Sequence, residues 1–227
     1  MSLLHTVIKS LSKRLILQGA GVQQNYLHIA AKPHHAESVT FATPTRSIWG
    51  YVAVAFNQVD ADRLAKVGPN RLCAEWVVKN GGGVRFTESP TKLWKDYNQL
   101  PSENTAFRIK VVDATNSSVM KIGLEHLKGC DHIDTVIFHN CKHLENEGLN
   151  GLSHITKSLT RLQVSGCYNI SDSGLAIISE LSNLKQLIIF DMIYVKDMEE
   201  VARSLKSSLP ECDIQATKFA VQLKKNK

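Results

Sequence analysis

An α/β fold built from stacked units is what the second half of this 227-residue sequence predicts. Three observations carry that reading: a set of apolar, cysteine and glycine positions that returns at fixed intervals, period-two alternation at the head of each interval, and helix-like spacing in its remainder. Ile133, Val136, Phe138, Cys141, Leu144, Gly148 and Leu149 return as Leu159, Leu162, Val164, Cys167, Ile170, Gly174 and Leu175, an offset of 26 throughout. Leu184, Leu187, Ile189, Met192, Val195 and Asp197 continue the series at an offset of 25. A weaker unit precedes them, with Val111, Asn116, Val119, Gly123 and Leu124.

The pattern is L-x-x-L-x-L-x-x-C/N-x-x-L, that of a leucine-rich repeat. The expected architecture is a short leucine-rich repeat solenoid of about four repeats over 108–215, preceded by a small helical N-terminal domain over 47–107. Each unit opens with a strand whose alternate residues point inward, and Cys or Asn at the bend satisfies turn backbone groups. The stretches after Leu124, Leu149, Leu175 and Met198 have helical spacing. One unit cannot bury its own apolar side, so neighbours must stack. Cys141 and Cys167 are therefore expected in the core. The outward strand positions form columns: Thr135, Arg161 and Gln186; Ile137, Gln163 and Ile188; His139, Ser165 and Phe190. Ile137, Ile188 and Phe190 would be apolar on that face, which reads either as a partner-binding patch with Arg161 and Gln163 or as a surface covered by the chain's own ends.

In the N-terminal domain Trp49, Val52 or Ala53, and Phe56 keep helical spacing. A second helix is expected to start near Pro69, since proline suits the first turn. It carries Leu72, Cys73, Trp76 and Val77 on its apolar side and ends at the glycine run 81–83, a cap and turn. That run is not a phosphate loop, because Val84, Arg85 and Phe86 follow it instead of Gly-Lys-Ser/Thr.

Composition narrows the function. Hydrophobic residues at 43% and charged residues at 21% suffice for one core and exclude a wholly disordered chain. No apolar run approaches the roughly 20 residues of a membrane-spanning helix. Of the formal charge of +6, residues 1–46 carry +4 and Lys224, Lys225 and Lys227 carry +3, leaving −1 on the body. A nucleic-acid binder places its basic excess on the folded surface, so nucleic acid is not expected as a partner. Leu4, Ile8, Leu11 and Leu15 form one helical stripe, Lys9, Lys13 and Arg14 lie away from it, and no acid occurs before Glu37. Residues 1–46 read as a mitochondrial targeting leader and linker, and 216–227 as a basic tail. Five widely spaced cysteines do not indicate a secreted disulfide framework. A cluster of His139, Cys141 and His143 with Cys130 and His132 nearby suggests zinc only weakly, because alternation separates His139 from Cys141. No nucleophile elbow, zincin motif or Walker loop is present, and no enzyme activity is expected.

Trp49-Gly50, Phe56-Asn57-Gln58-Val59-Asp60, Val67-Gly68-Pro69-Asn70-Arg71, Glu75-Trp76, Lys95-Asp96-Tyr97-Asn98, Leu100-Pro101 and Asp113-Ala114-Thr115 closely resemble the mitochondrial ATP synthase subunit s (coupling factor B) family. The resemblance runs from about Trp49 to about Pro210. It implies a noncatalytic factor on the matrix side of the mitochondrial inner membrane, peripheral to it. Such a factor associates with ATP synthase membrane-sector subunits and supports or regulates proton conduction coupled to ATP synthesis. It also implies a magnesium (Mg2+) site, carried over to Gly81 and Thr115, and a pair of thiols of which Cys141 matches one while His139 stands at the other. Two other readings fit the repeat: an assembly factor for respiratory complex I, and a substrate receptor of a ubiquitin ligase, for which no F-box-like segment precedes the repeats.

Overall fold

A computed structural model describes residues 48–218. The predicted leader and nearly all of the basic tail lie outside these residues. The chain is α/β, with one mixed seven-stranded sheet in the order β2-β1-β3-β4-β5-β6-β7. Helices α1 (Ile48–Asn57) and α2 (Ala61–Lys79) lead into the hairpin β1 (Gly83–Phe86) and β2 (Ser89–Trp94). Strands β3 (Ile109–Asp113), β4 (Thr135–His139), β5 (Arg161–Ser165), β6 (Gln186–Phe190) and β7 (Asp213–Ala216) follow in sequence order and are mutually parallel. β1 runs antiparallel to both β2 and β3.

The hairpin corrects the all-helical expectation for 47–107. A four-residue strand between a glycine run and a turn is too short to show a period. It forms because β3 offers an edge, with Val84 opposite Val112 and Arg85 opposite Val111. The glycine run still ends α2: Asn80 is the cap and Gly81 has φ +89, which an L side chain rarely adopts. Gly83 then begins β1 and is not part of the turn. The predicted start at Pro69 is also present. α2 is broken at Gly68 (φ 76, ψ 170), so Pro69 opens a new helical run.

The links between parallel strands are tighter than α-helices. Lys121–Leu127, Asn146–Ile155 and Ile177–Glu180 are 3₁₀ helices, and only the single turn α3 (Asp172–Ala176) and the longer α4 (Met198–Ser208) are α-helical. The reason is legible in the buried residues. Leu124, Leu127 and Cys130, Leu149, Leu152 and Ile155, and Leu175, Ile178 and Leu181 are all buried and spaced by three. Three residues per turn place them in one line. In the last link Leu205 and Leu209 are spaced by four, and the link is an α-helix.

One continuous core joins α2 to the last strand. Cys141 and Cys167 lie in it at 0% exposure, as their place in the repeat predicted. The bend after each strand uses a left-handed residue, Asn116, Asn140, Gly166 and Asp191 (φ +54 to +61). Each donates its N–H to a carbonyl on the next strand or the segment after it: His139, Ser165, Phe190 and Lys218, at 2.8–3.3 Å. Asn and Asp tolerate this region better than other side chains, and the sheet pairing continues through the turn.

Candidate functional site

The strand registers reproduce the predicted columns. Thr135, Arg161 and Gln186 are aligned, as are Ile137, Gln163 and Ile188, and His139, Ser165 and Phe190. β3 and β7 extend the first two columns with Val111 and Asp213, and with Asp113 and Gln215. Arg161 is exposed, and its guanidinium is aimed by Thr135 Oγ1 (2.9 Å) and Asp134 Oδ1 (3.1 Å). Ile137, Gln163, Ile188 and Phe190 are half-buried, and the strands turn Val136, Phe138, Leu162, Val164, Leu187 and Ile189 to the core. The face is thus a central apolar group, Ile137, Ile188 and Phe190, flanked by an oriented guanidinium and an amide.

Ser165 departs from this pattern. It occupies an outward position yet is 0% exposed. Its hydroxyl meets His139 Nδ1 at 2.8 Å and accepts from Gln163 Nε2 at 2.9 Å. The His139 and Phe190 rings lie 5.9 Å apart. A small polar residue between two large rings is covered by them.

Cys141 is not an accessible thiol. Its Sγ donates to the Ala114 carbonyl (3.0 Å) and lies 3.8 Å from Ser117 Oγ. Contact with the Cys167 thiol, followed by burial, holds it far above the ordinary thiol range, so it stays protonated and unreactive. His139, half-buried on the outward face, does not join it. Among the described residues, no three His, Cys, Asp or Glu side chains gather to hold a metal.

Gly81 and the segment after β3 do meet. A side-chain carbon at Gly81 would sit 3.9 Å from the Asn116 carbonyl oxygen, one residue from Thr115. The Thr115 N–H donates to Asp113 Oδ1 (3.1 Å). The donors on offer are a glycine carbonyl, a threonine and an aspartate nearby. These are hard oxygens, the kind magnesium takes, with one carboxylate.

Two residues of the N-terminal region hold more than their sequence spacing announced. Asn57 is fully buried. Its Oδ1 accepts from Trp76 Nε1 (3.1 Å) and the Met120 N–H (2.9 Å). Its Nδ2 is within 2.9–3.0 Å of the Ala53 carbonyl, Asn80 Oδ1 and the Ser118 carbonyl. Gly123 closes the same pocket, since a Cβ there would stand 2.2 Å from Asn57 Oδ1. His126 stacks on Trp76 at 5.1 Å. Burial pushes the His126 ring below its ordinary value, and the Gly123 carbonyl opposes this only in part.

Glu75 is the second anchor, at 0% exposure. Arg63 reaches both of its oxygens, Arg71 Nε lies at 2.8 Å and Lys79 Nζ at 3.8 Å. Burial alone raises the carboxyl, but hydrogen bonds from Arg63 and Arg71 and the charge of Lys79 outweigh it and hold it below its ordinary value. Arg63 continues to Glu103 (2.7 Å) and Arg71 to the Pro101 carbonyl, which pins the segment after β2. The i±4 placement of Arg71 and Lys79 around Glu75 was a legible sign of the cluster. The long-range partners of Asn57 left no such sign.

No family model matches the chain. The human "ATP synthase subunit s, mitochondrial" is 31% identical over 183 residues, covering 79% of this chain and 91% of that protein. The mouse protein of the same name is 33% identical over the same coverage. "Distal membrane arm assembly component 2" of Drosophila melanogaster is 24% identical over 157 residues, 67% of this chain and 55% of that protein. These mammalian relatives, 31–33% identical and each matched over most of its own length, show the family: the chain belongs to the mitochondrial ATP synthase subunit s family.

Proposed function

We propose that this chain is a noncatalytic mitochondrial factor on the matrix side of the inner membrane, where it docks on membrane-sector subunits of ATP synthase and supports or regulates proton conduction coupled to ATP synthesis. The observation that carries the docking reading is the in-register apolar group Ile137, Ile188 and Phe190 beside Arg161 and Gln163 on the outward strand face. An apolar centre with a polar, hydrogen-bonding rim is how protein interfaces are built. The names of the mammalian relatives supply the synthase as the partner. No helix among the described residues is long and apolar enough to cross a membrane. The parallel strands in sequence order, the 25- to 26-residue register from β4 to β6 and the buried Cys141 and Cys167 support the reading of 108–215 as a leucine-rich repeat solenoid. The basic, acid-poor segment 1–46 supports import.

Ile188→Asp or Phe190→Asp should abolish co-purification with the synthase while leaving the thermal melting of the chain near that of the wild type. Retained co-purification would refute the face. A second reading, an assembly factor for respiratory complex I, is favoured by the likeness to the Drosophila assembly component. Crosslinking in intact mitochondria, read by mass spectrometry, separates the two by the partner recovered.

Magnesium at Gly81 and Thr115 is part of the proposal. Bound there, the ion would tie the end of α2 to the segment after β3. Added magnesium is expected to raise the melting temperature of the wild type, and Thr115→Val is expected to remove the increment. A metal-independent wild type would count against the site.

A further inference from the structure

We propose that the turns after β4, β5 and β6 form a rim that inserts into the surface of a lipid bilayer, with Tyr168, Ile193 and Tyr194 as its anchors. The inference rests on the peripheral attachment proposed above and names the part of the chain that makes it.

The repeat supplies the frame. After each of these strands a four-residue turn is closed by a backbone hydrogen bond. The Leu144 N–H donates to the Cys141 carbonyl (3.4 Å), Ile170 to Cys167 (3.2 Å) and Val195 to Met192 (3.2 Å). The first residue of each turn is buried, and the last is buried or half-buried. The two between them are exposed: Lys142 and His143, Tyr168 and Asn169, Ile193 and Tyr194. Packing within the chain asks nothing apolar of these tips. Yet Tyr168, Ile193 and Tyr194 stand there at 41%, 67% and 60% exposure. Scattered apolar residues on a surface are ordinary, but these follow the repeat. The pairing of Ser165 with Phe190 places Tyr168 and Ile193 at equivalent positions in neighbouring units, about one strand spacing of ~5 Å apart.

The tips are also held. Asn169 Nδ2 donates to the Lys142 carbonyl (2.7 Å), which ties the second tip to the first. The Lys196 N–H lies 3.3 Å from both Asp172 oxygens, which ties the third to the unit before it. Little backbone freedom is left to lose when the tips are buried.

The residue types match a bilayer surface. Tyrosine joins an apolar ring to a polar hydroxyl and collects at the level of lipid headgroups. Lys142 on the first tip and Lys196 just after the third are exposed. Their stems can lie along acyl chains while the ammonium groups meet lipid phosphates. The carboxylates alongside are largely engaged or set back: Asp172 takes the Lys196 N–H, Asp197 Oδ1 accepts from the Glu200 N–H (2.9 Å), and Asp191 is half-buried. Glu145 is exposed beyond the first tip, at the far end of the row from Ile193. A protein partner would need a fitted pocket for each protruding side chain, whereas a bilayer needs none. The tips lie beyond the carboxyl ends of the strands and the docking face on their flank, so both can be engaged at once.

A local label in the full chain tests this. Ile193→Cys carries a polarity-sensitive fluorophore, the five native cysteines being buried. With phosphatidylcholine vesicles containing roughly one-fifth phosphatidylglycerol, its emission should shift to the blue, and bromine on the acyl chains should quench it. The same label at Ser182→Cys, exposed ahead of β6 at the opposite end of the strand, should do neither. The comparison separates the tips from the basic ends of the chain, which can adsorb to the same vesicles. Tyr168→Asp with Tyr194→Asp in the Ile193-labelled chain should weaken partition, read by that quenching, about tenfold or more, the order of losing two buried apolar side chains. Its melting temperature should stay unchanged. An unquenched label at Ile193, equal quenching at both positions, or unaltered partition of the Asp variant would each overturn the proposal and leave the docking of Ile188 and Phe190 on the synthase standing. Quenching as expected, with no co-purification of the synthase, would refute the synthase as partner and leave the lipid-facing rim in place.

Discussion

Glu75→Ala is expected to lower the unfolding free energy by about 3–5 kcal/mol, the usual cost of removing one partner from a buried ion pair. For a chain of this size that is about 10 °C in melting temperature. The carboxylate is fully buried among Arg63, Arg71 and Lys79. Its loss leaves Arg71, whose side chain is only 11% exposed, with a positive charge and no acid beside it. Loosening should spread to the segment after β2, because Arg63 and Arg71 also hold Glu103 and the Pro101 carbonyl. The pH dependence follows from the direction of the shift. The carboxyl is held below its ordinary value near 4.5 in the folded chain. Its stabilisation is therefore complete above that pH and is lost as the pH falls from there through the folded value. The difference between wild type and Glu75→Ala should be largest at neutral pH and shrink in acid below about pH 4.5. Melting curves at pH 7 and pH 3.5 measure this, and a constant difference would show that the network does not titrate as described.

Asn57→Ala is expected to cost about 3 kcal/mol or more, because it strands several buried groups at once. Trp76 Nε1 and the Met120 N–H lose their acceptor, and Asn80 Oδ1 and the Ser118 carbonyl lose a donor. Asn57 ends α1, Trp76 lies on α2, and Met120 and Ser118 belong to the first link after β3. The substitution should therefore uncouple the amino-terminal helices from the sheet. Hydrogen exchange checks it: protection of α1 should fall further than protection of β4 to β6. Uniform loss across the sheet would instead mean that Asn57 supports the whole fold equally. Asn57→Asp is no remedy, since a carboxylate cannot donate to the Ala53 and Ser118 carbonyls.

These two anchors bear on how the outward face could serve as a docking surface. The face lies on the opposite side of the strands from the core, and its residues are positioned by register. Anything that frees α2 disturbs β3 through the core they share, and β3 sets the first column.

Strands β3 to β6, the alignment of β4 to β6 in columns, and the burial of Cys141 and Cys167 were all determined by the sequence alone. The physical reason is that a repeat imposes the same local solution in each unit, and period two within a strand leaves no choice of face. The same holds for the break before Pro69 and the left-handed Gly81. The hairpin β1–β2, the meeting of Gly81 with the segment after β3, and the partners of Asn57 were decided only in the tertiary structure. Each depends on residues far apart in sequence, and none leaves a period behind. Spacing by three distinguished the 3₁₀ links from α-helices, yet it becomes informative only once burial shows which residues form the line. His139 illustrates the division most clearly. Alternation placed it on the outward face. Its neighbours, the Ser165 hydroxyl at 2.8 Å and the Phe190 ring, come from two other units that only folding brings beside it.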